Sequence, residues 1–296
     1  MSYLGRDSPA AAYNDECNMN SSPYCLLPPN TTFSTFVAID PKIMNMISSI
    51  RAAIKALPHV DLSNPHKATE LPFPSPHPIP IERFTPTPPS NDPPQRFYFM
   101  GRFHFQHILD EMQDPNYLNG LRDLYLYGTS GTGKYHLLAA LVCHLVQKGE
   151  RVVYIPDCSI LLTDHTNHIR TALLFAFYDR PTLRDEIIRA KDMNALLRFT
   201  RRQPYRSLHV VVDQRNALEL DLDSVADIHR DLKATIWNNL NELRVHHRYI
   251  FSASANARSD KYRNLKQSPI KTVYLRDGLR KVCPSLFNYL ASYSPG

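Results

Sequence analysis

Eight consecutive residues, Gly128-Thr129-Ser130-Gly131-Thr132-Gly133-Lys134-Tyr135, follow the spacing G-x-x-x-x-G-K-[ST] in all but the final letter. Glycines at these positions let successive backbone N–H groups turn toward one point, and the lysine adds a mobile positive charge. The chemistry open to such a set is the cradling of a phosphate chain. The last position departs from the pattern. A Ser or Thr there holds a hydroxyl close to the backbone, where it ligates the magnesium that bridges the outer phosphates. Tyr135 carries its hydroxyl at the far end of a rigid ring. Phosphate binding by the loop and Lys134 is therefore expected to survive, and metal-assisted hydrolysis to be impaired.

Hydrolysis needs two further groups: a carboxylate near the metal and a group that orients water. The apolar run Ser207-Leu208-His209-Val210-Val211-Val212 ends in Asp213, the expected metal carboxylate. Gln214 follows; a carboxamide orients a water but cannot take its proton. A second apolar run, Tyr249-Ile250-Phe251, ends in small polar residues, of which Ser252, Ser254 and Asn256 are candidates to touch a terminal phosphate or the attacking water. Upstream, Phe99-Met100-Gly101-Arg102 forms a compact box in which Gly101 permits a tight turn and Arg102 is expected to pin it.

The elements that must position these groups are legible in the hydrophobic pattern. Leu124-Tyr125-Leu126-Tyr127 reads as a buried strand, and Leu137, Leu138, Leu141, Val142 and Leu145 share one face of a helix. A loop joining strand to helix aims the positive end of a helix dipole at an anion. Strands are expected at 123–127, 151–155, 207–213, 248–254 and 271–275, and helices at 103–113, 134–148, 166–178, 183–199 and 224–246. Such alternation implies crossover connections, a parallel sheet covered on both faces, and ligands beyond the carboxyl ends of its strands.

Proline divides the chain, since 17 of its 24 prolines lie at or before Pro94. Residues 1–40 read as a disordered tail and 41–58 as an isolated amphipathic helix, with Ile43, Met44, Ile47, Ile50 and Ile54 on one stripe. A Pro-rich linker is expected over 59–96 and the folded domain over 97–296. The helix either docks on that domain or binds a partner.

The five cysteines are scattered and form no C-x-x-C pair, which fits a reducing compartment better than a disulfide scaffold. His104/His107, His165/His168 and His246/His247 have no ligand-spaced Cys or carboxylate partners. No signal peptide or membrane-spanning run is visible. Net charge is +6, and from Arg180 to Lys281 there are 21 Lys/Arg against 12 Asp/Glu. That surplus reads as a solvated basic face or, alternatively, as a surface for nucleic acid.

Taken together, Phe99–Arg102, Gly128–Tyr135, the helix and strand over 138–158, and Asp213-Gln214-Arg215-Asn216-Ala217-Leu218 resemble the NTPase domain of Crinkler-type effector proteins, over about residues 97–260. Those proteins are similar to AAA+ and STAND ATPases. The resemblance implies an α/β fold, a P-loop NTPase three-layer sandwich with a mainly parallel central sheet. It implies ATP and Mg2+ as cofactors, the loop residues and Phe99, Gly101 and Arg102 bordering the nucleotide, and Gln214 as the family's usual residue. It also implies action inside a cell, or in a host cell or nucleus after delivery. This chain departs from the pattern at Tyr135, in having no recognisable translocation motif at its start, and in ending just past the fifth strand, where a helical lid is expected to be missing. Two alternatives stay open: a non-catalytic interaction protein that uses the fold as a scaffold, and a nucleic-acid-binding protein.

Overall fold

The computed structural model describes residues 39–77, 95–119, 122–129, 131–219, 229–254 and 270–275. From the amino end these form α1 (Pro41–Lys55), β1 (Ala68–Pro72), β2 (Arg96–Met100), α2 (Phe103–Gln113), α3 (Pro115–Leu118), β3 (Asp123–Tyr127), α4 (Lys134–Gln147) and β4 (Arg151–Ile155). There follow α5 (Leu161–Phe177), α6 (Pro181–Arg189), α7 (Met193–Arg201), β5 (Leu208–Val212), α8 (Arg230–His246), β6 (Arg248–Ser252) and β7 (Ile270–Tyr274), with short 3-10 turns at Cys158–Ile160 and Arg215–Leu218.

The central sheet has the order β4-β5-β6-β3-β7, with every pairing parallel. Strands covered on both faces need apolar residues throughout, and β5 is buried along its whole length. Helices flank the sheet, giving the P-loop ATPase-like α/β fold expected from the sequence. Because all five strands run the same way, Tyr127, Ile155, Val212, Ser252 and Tyr274 end at one edge. β6 is inserted between β3 and β5, so the glycine loop and Asp213 flank the end of β6.

Helix α4 shows why the amino-terminal segment belongs to this fold. Beyond the expected stripe it buries Ala139, Ala140, Cys143 and Val146, so it is apolar nearly all round. A helix of that kind must be covered on every side. The sheet covers one face; α1, β1 and β2 contact others. Helix α1 starts at Pro41, with Asp40 accepting from the Lys42 N–H (2.9 Å), and buries Ile47, Ile50 and Ile54. Arg51 ties it to the end of α5, donating to the Phe175 carbonyl (2.7 Å) and to Asp179 (3.2 Å). Cations at a helix carboxyl end complete its unpaired carbonyls.

Two expectations about organisation are corrected here. Helix 41–58 is not isolated, because its apolar stripe is part of the main core. The stretch 59–96 is not wholly a linker: β1 forms inside it and pairs antiparallel with β2, Thr69 opposite Phe99 and Leu71 opposite Phe97. Prolines at 72, 74 and 76 do not prevent this, since β1 lies in a two-stranded ribbon and needs few ladder donors. The expected tail up to residue 38, and the region past 275 where a lid was sought, lie outside the described residues.

Helix boundaries moved for local reasons. The expected helix 183–199 is two helices, because Asp192 caps α7 by accepting from the Ala195 N–H (2.7 Å). Asp164 breaks the regular path inside α5 and accepts from the Asn167 N–H (3.1 Å), so regular helix begins close to the expected 166.

Candidate phosphate-binding site

The loop leaves β3 at Gly128 and enters α4 at Lys134. Gly131 and Gly133 both have left-handed backbones, φ 75° and 68°, which glycine adopts without penalty. Thr132 fixes the turn by donating its hydroxyl to the Thr129 carbonyl (2.9 Å). Lys134 is 4% exposed and folds back over the loop, its Nζ donating to the carbonyls of Gly128 (2.7 Å) and Thr129 (3.2 Å). Burial lowers its pKa, and the nearby Asp213 charge opposes that shift. Ser130 lies outside the described residues.

Arg102 joins the loop from the other side. Its Nη1 donates to the Thr132 carbonyl, and a Cβ on Gly133 would lie 2.2 Å from its Nη2. The sequence pattern reads Arg102 as pinning the turn at Gly101; its guanidinium lies instead against the glycine loop, at Thr132 and Gly133. The residue is held by its neighbours: its N–H donates to the Leu62 carbonyl (3.0 Å), and the Gly101 N–H to that of Lys67 (3.0 Å). Burial pulls the guanidinium down to about 10, so it stays charged at neutral pH. Phe99 is fully buried against Phe105, ring centroids 6.0 Å apart, and offers no surface to a base. The exposed aromatics beside it are Tyr98 and Phe103, the latter 75% accessible.

At the end of β5, Asp213 is completely buried. Its Oδ1 accepts from the Ser252 hydroxyl and from the Gln214 N–H (2.8 Å). Gln214 takes a left-handed conformation, φ 53°, uncommon for a residue with a side chain. Its Nε2 donates to Tyr135 Oη (3.2 Å). The tyrosine that replaces Ser or Thr thus spans from the start of α4 to the residue after the acid.

The 3-10 turn that follows is anchored by contacts between residues far apart in sequence. Arg215 is buried, its guanidinium 4.0 Å from the Trp237 ring centre and 4.7 Å from that of Phe251. Asn216 clamps the end of β6, accepting from the Ser254 N–H (2.7 Å) and donating to its hydroxyl (3.0 Å). Of the three polar candidates after β6, Ser252 is the one that touches Asp213, Ser254 is held by Asn216, and Asn256 lies outside the described residues. The Asn216 clamp was missed because no local pattern announces a partner 38 positions away.

The Mg2+ expected from the resemblance does not fit these donors. Its direct protein ligand would be the short hydroxyl that Tyr135 lacks. The Thr132 hydroxyl is turned to the loop carbonyl, and Asp213 Oδ1 is turned to Ser252 and its own chain. Mg2+ demands near-octahedral oxygen ligands at about 2.0–2.1 Å, usually carboxylates, phosphates and waters; here the short hydroxyl is absent and only the Oδ2 of Asp213 is not engaged by Ser252 or the Gln214 N–H.

Elsewhere, no group of three or more metal-ligating side chains occurs among the described residues. No described helix is long and apolar enough to cross a membrane. Cys143 and Cys158 are buried and in no disulfide among the described residues. Part of the basic surplus is spent internally, in Arg215 and in the pairs Arg201–Glu242 and Arg244–Asp123.

No family model matches the chain, and no curated protein matches its sequence. Among solved structures it is similar to AMPPCP-bound DnaA from Aquifex aeolicus, with 14% identity and TM-score 0.35 over 64% of this chain and 56% of that one. A replication initiator DnaA bound to AMPPCP and single-stranded DNA gives 15% identity and TM-score 0.33 over 64% and 55%. A DNA replication initiation factor gives 17% and 0.31 over 58% and 46%. The chain spans about half the length of these structures. The fold assignment stands on the chain's own strand order and glycine loop.

Proposed function

We propose that this chain is a nucleoside triphosphate-binding module of P-loop ATPase type, related to the AAA+/STAND-like NTPase domain of Crinkler-type effectors, with hydrolysis impaired by Tyr135. One observation carries it: a glycine loop with left-handed Gly131 and Gly133 leads from β3 into α4, with the buried Lys134 folded over it, at the same sheet edge where β5 ends in the buried Asp213. Loop amides and Lys134 would grip the phosphates, and ATP is the ligand of choice. Gln214 would be the group to orient a water, and its amide is engaged by Tyr135. The module therefore holds nucleotide more readily than it cleaves it, and serves as a nucleotide-dependent switch for a partner.

The Crinkler relation rests on the segment 213–218, whose Arg215 and Asn216 have specific packing roles. Action in a host cell or nucleus follows from that relation alone. The alternative in which helix 41–58 binds a partner is disfavoured, because its apolar stripe is already in the core.

Equilibrium binding of ATP to the wild type and to Lys134→Ala tests the reading. A loss of affinity of about tenfold or more is expected on removing the ammonium. Equal binding by both proteins, or none by the wild type, would refute it.

A further inference from the structure

We propose that the loop takes its nucleotide as the metal-free polyphosphate, with Arg102 and Lys134 supplying the positive charge that a divalent cation supplies elsewhere. This rests on the reading of the loop as a nucleotide site and names the form of ligand that site selects.

Two independent features support it. The first is the closure of the metal position. A cation bridging the outer phosphates must lie between the start of α4 and the end of β5, and that gap is spanned by the Tyr135 phenol and the Gln214 amide (3.2 Å). Asp213 below them is completely buried, and its Oδ1 accepts from Ser252 and from its own backbone. The second is an added cation. The Arg102 guanidinium lies against Gly133, one nitrogen fixed by the Thr132 carbonyl, while its buried Nε has no hydrogen-bond partner among the described residues. Lys134 lies on the loop's other carbonyls. Two fixed cations and a helix amino end thus converge on a loop of six residues, where a planar, weakly hydrated guanidinium suits phosphate oxygens. Chelation by Mg2+ would neutralise the charge these groups attract, in return for at most one carboxylate oxygen from the protein, Oδ2 of Asp213.

The test is calorimetric titration of the full chain with ATP, once in excess EDTA and once in excess MgCl2. Affinity in EDTA is expected to equal or exceed that in magnesium. A tightening of about tenfold or more on adding Mg2+ would overturn the proposal while leaving the nucleotide site intact. Absence of binding in both buffers would instead overturn the nucleotide reading, and this inference with it. Arg102→Ala, shown folded by its circular dichroism melt, is expected to lose about tenfold or more of the metal-free affinity, with partial rescue in Arg102→Lys. Unchanged metal-free affinity in folded Arg102→Ala would also overturn it. Should Arg102→Ala not fold, Tyr135→Thr decides: it is expected to acquire a magnesium-dependent gain in affinity, and a response no larger than wild type would count against the proposal.

Discussion

Gly101→Ala is the sharpest probe of how the amino-terminal segment holds the phosphate loop. A Cβ at this position would lie 2.1 Å from the Asn64 carbonyl oxygen, 2.8 Å from its carbon and 3.1 Å from its nitrogen. All three are backbone atoms, so no side chain can swing aside. The backbone at Gly101 is not in the left-handed region, and the penalty is therefore steric. Relief requires the 62–67 turn and the strand end to separate by about 1 Å, a gap that forfeits up to about half of the dispersion attraction between packed atoms. That movement strains the hydrogen bonds Gly101 N–H to Lys67 and Arg102 N–H to Leu62, both 3.0 Å. Overpacking costs about 1–3 kcal/mol and a weakened hydrogen bond about 1 kcal/mol, so a destabilisation of about 3 kcal/mol is expected. For a domain of this size that lowers the melting temperature by about 6–12 °C. Gly149→Ala is the control: its φ is 84° with nothing within 4 Å of an added Cβ, so it pays only the left-handed penalty, about 1–2 kcal/mol. Melting followed by near-UV circular dichroism, with ATP affinity measured on the same samples, reads both effects. If Gly101→Ala melts at or above the Gly149→Ala temperature, the close approach is not a constraint and the reasoning is wrong.

Other outcomes follow from the same contacts. Arg51→Ala should destabilise by about 2–3 kcal/mol in denaturant titration, because it leaves the buried Phe175 carbonyl unpaired; a change under about 0.5 kcal/mol would show that α1 docks without this link. His77 and His168 face each other with ring nitrogens 3.1 Å apart, and burial first, then the His168 charge, pulls His77 down to about 4. His77 therefore stays neutral in the fold while the unfolded chain protonates near 6.5, so its contribution is intact above that pH and is lost as pH falls toward 4. The size is on the order of 2–3 kcal/mol. His77→Phe should flatten the stability profile in that window, and profiles running parallel to wild type would refute it. His136 and His247, also pulled to about 4 by burial, contribute to the same acid slope in both proteins.

Much of the fold was legible in the chain because its signals are local. The apolar runs of β3 and β5, the stripe of α4 and the spacing of Gly128, Gly133 and Lys134 each express one element's own periodicity or turn, and the structure forms them within a residue or two of expectation. Asp213 at the end of β5 was readable for the same reason. What escaped were contacts across large separations. The apolar back of α4 showed that a cover was needed, but not that α1 and the β1–β2 ribbon provide it. The prolines around β1 read as a linker, because only its pairing with β2, across a gap of more than 20 residues, makes it a strand.

At the site the division is the same. Residue types alone established that the loop can hold phosphate and that Tyr135 lacks a short hydroxyl, since both follow from atoms on consecutive residues. Only the folded sheet, by inserting β6 between β3 and β5, decided that Ser252 meets Asp213, that Gln214 meets Tyr135 and that Arg102 lies against Gly133. Side-chain reach is a few ångströms, and which distant residues come within it is set by strand order, which no local stretch of sequence encodes.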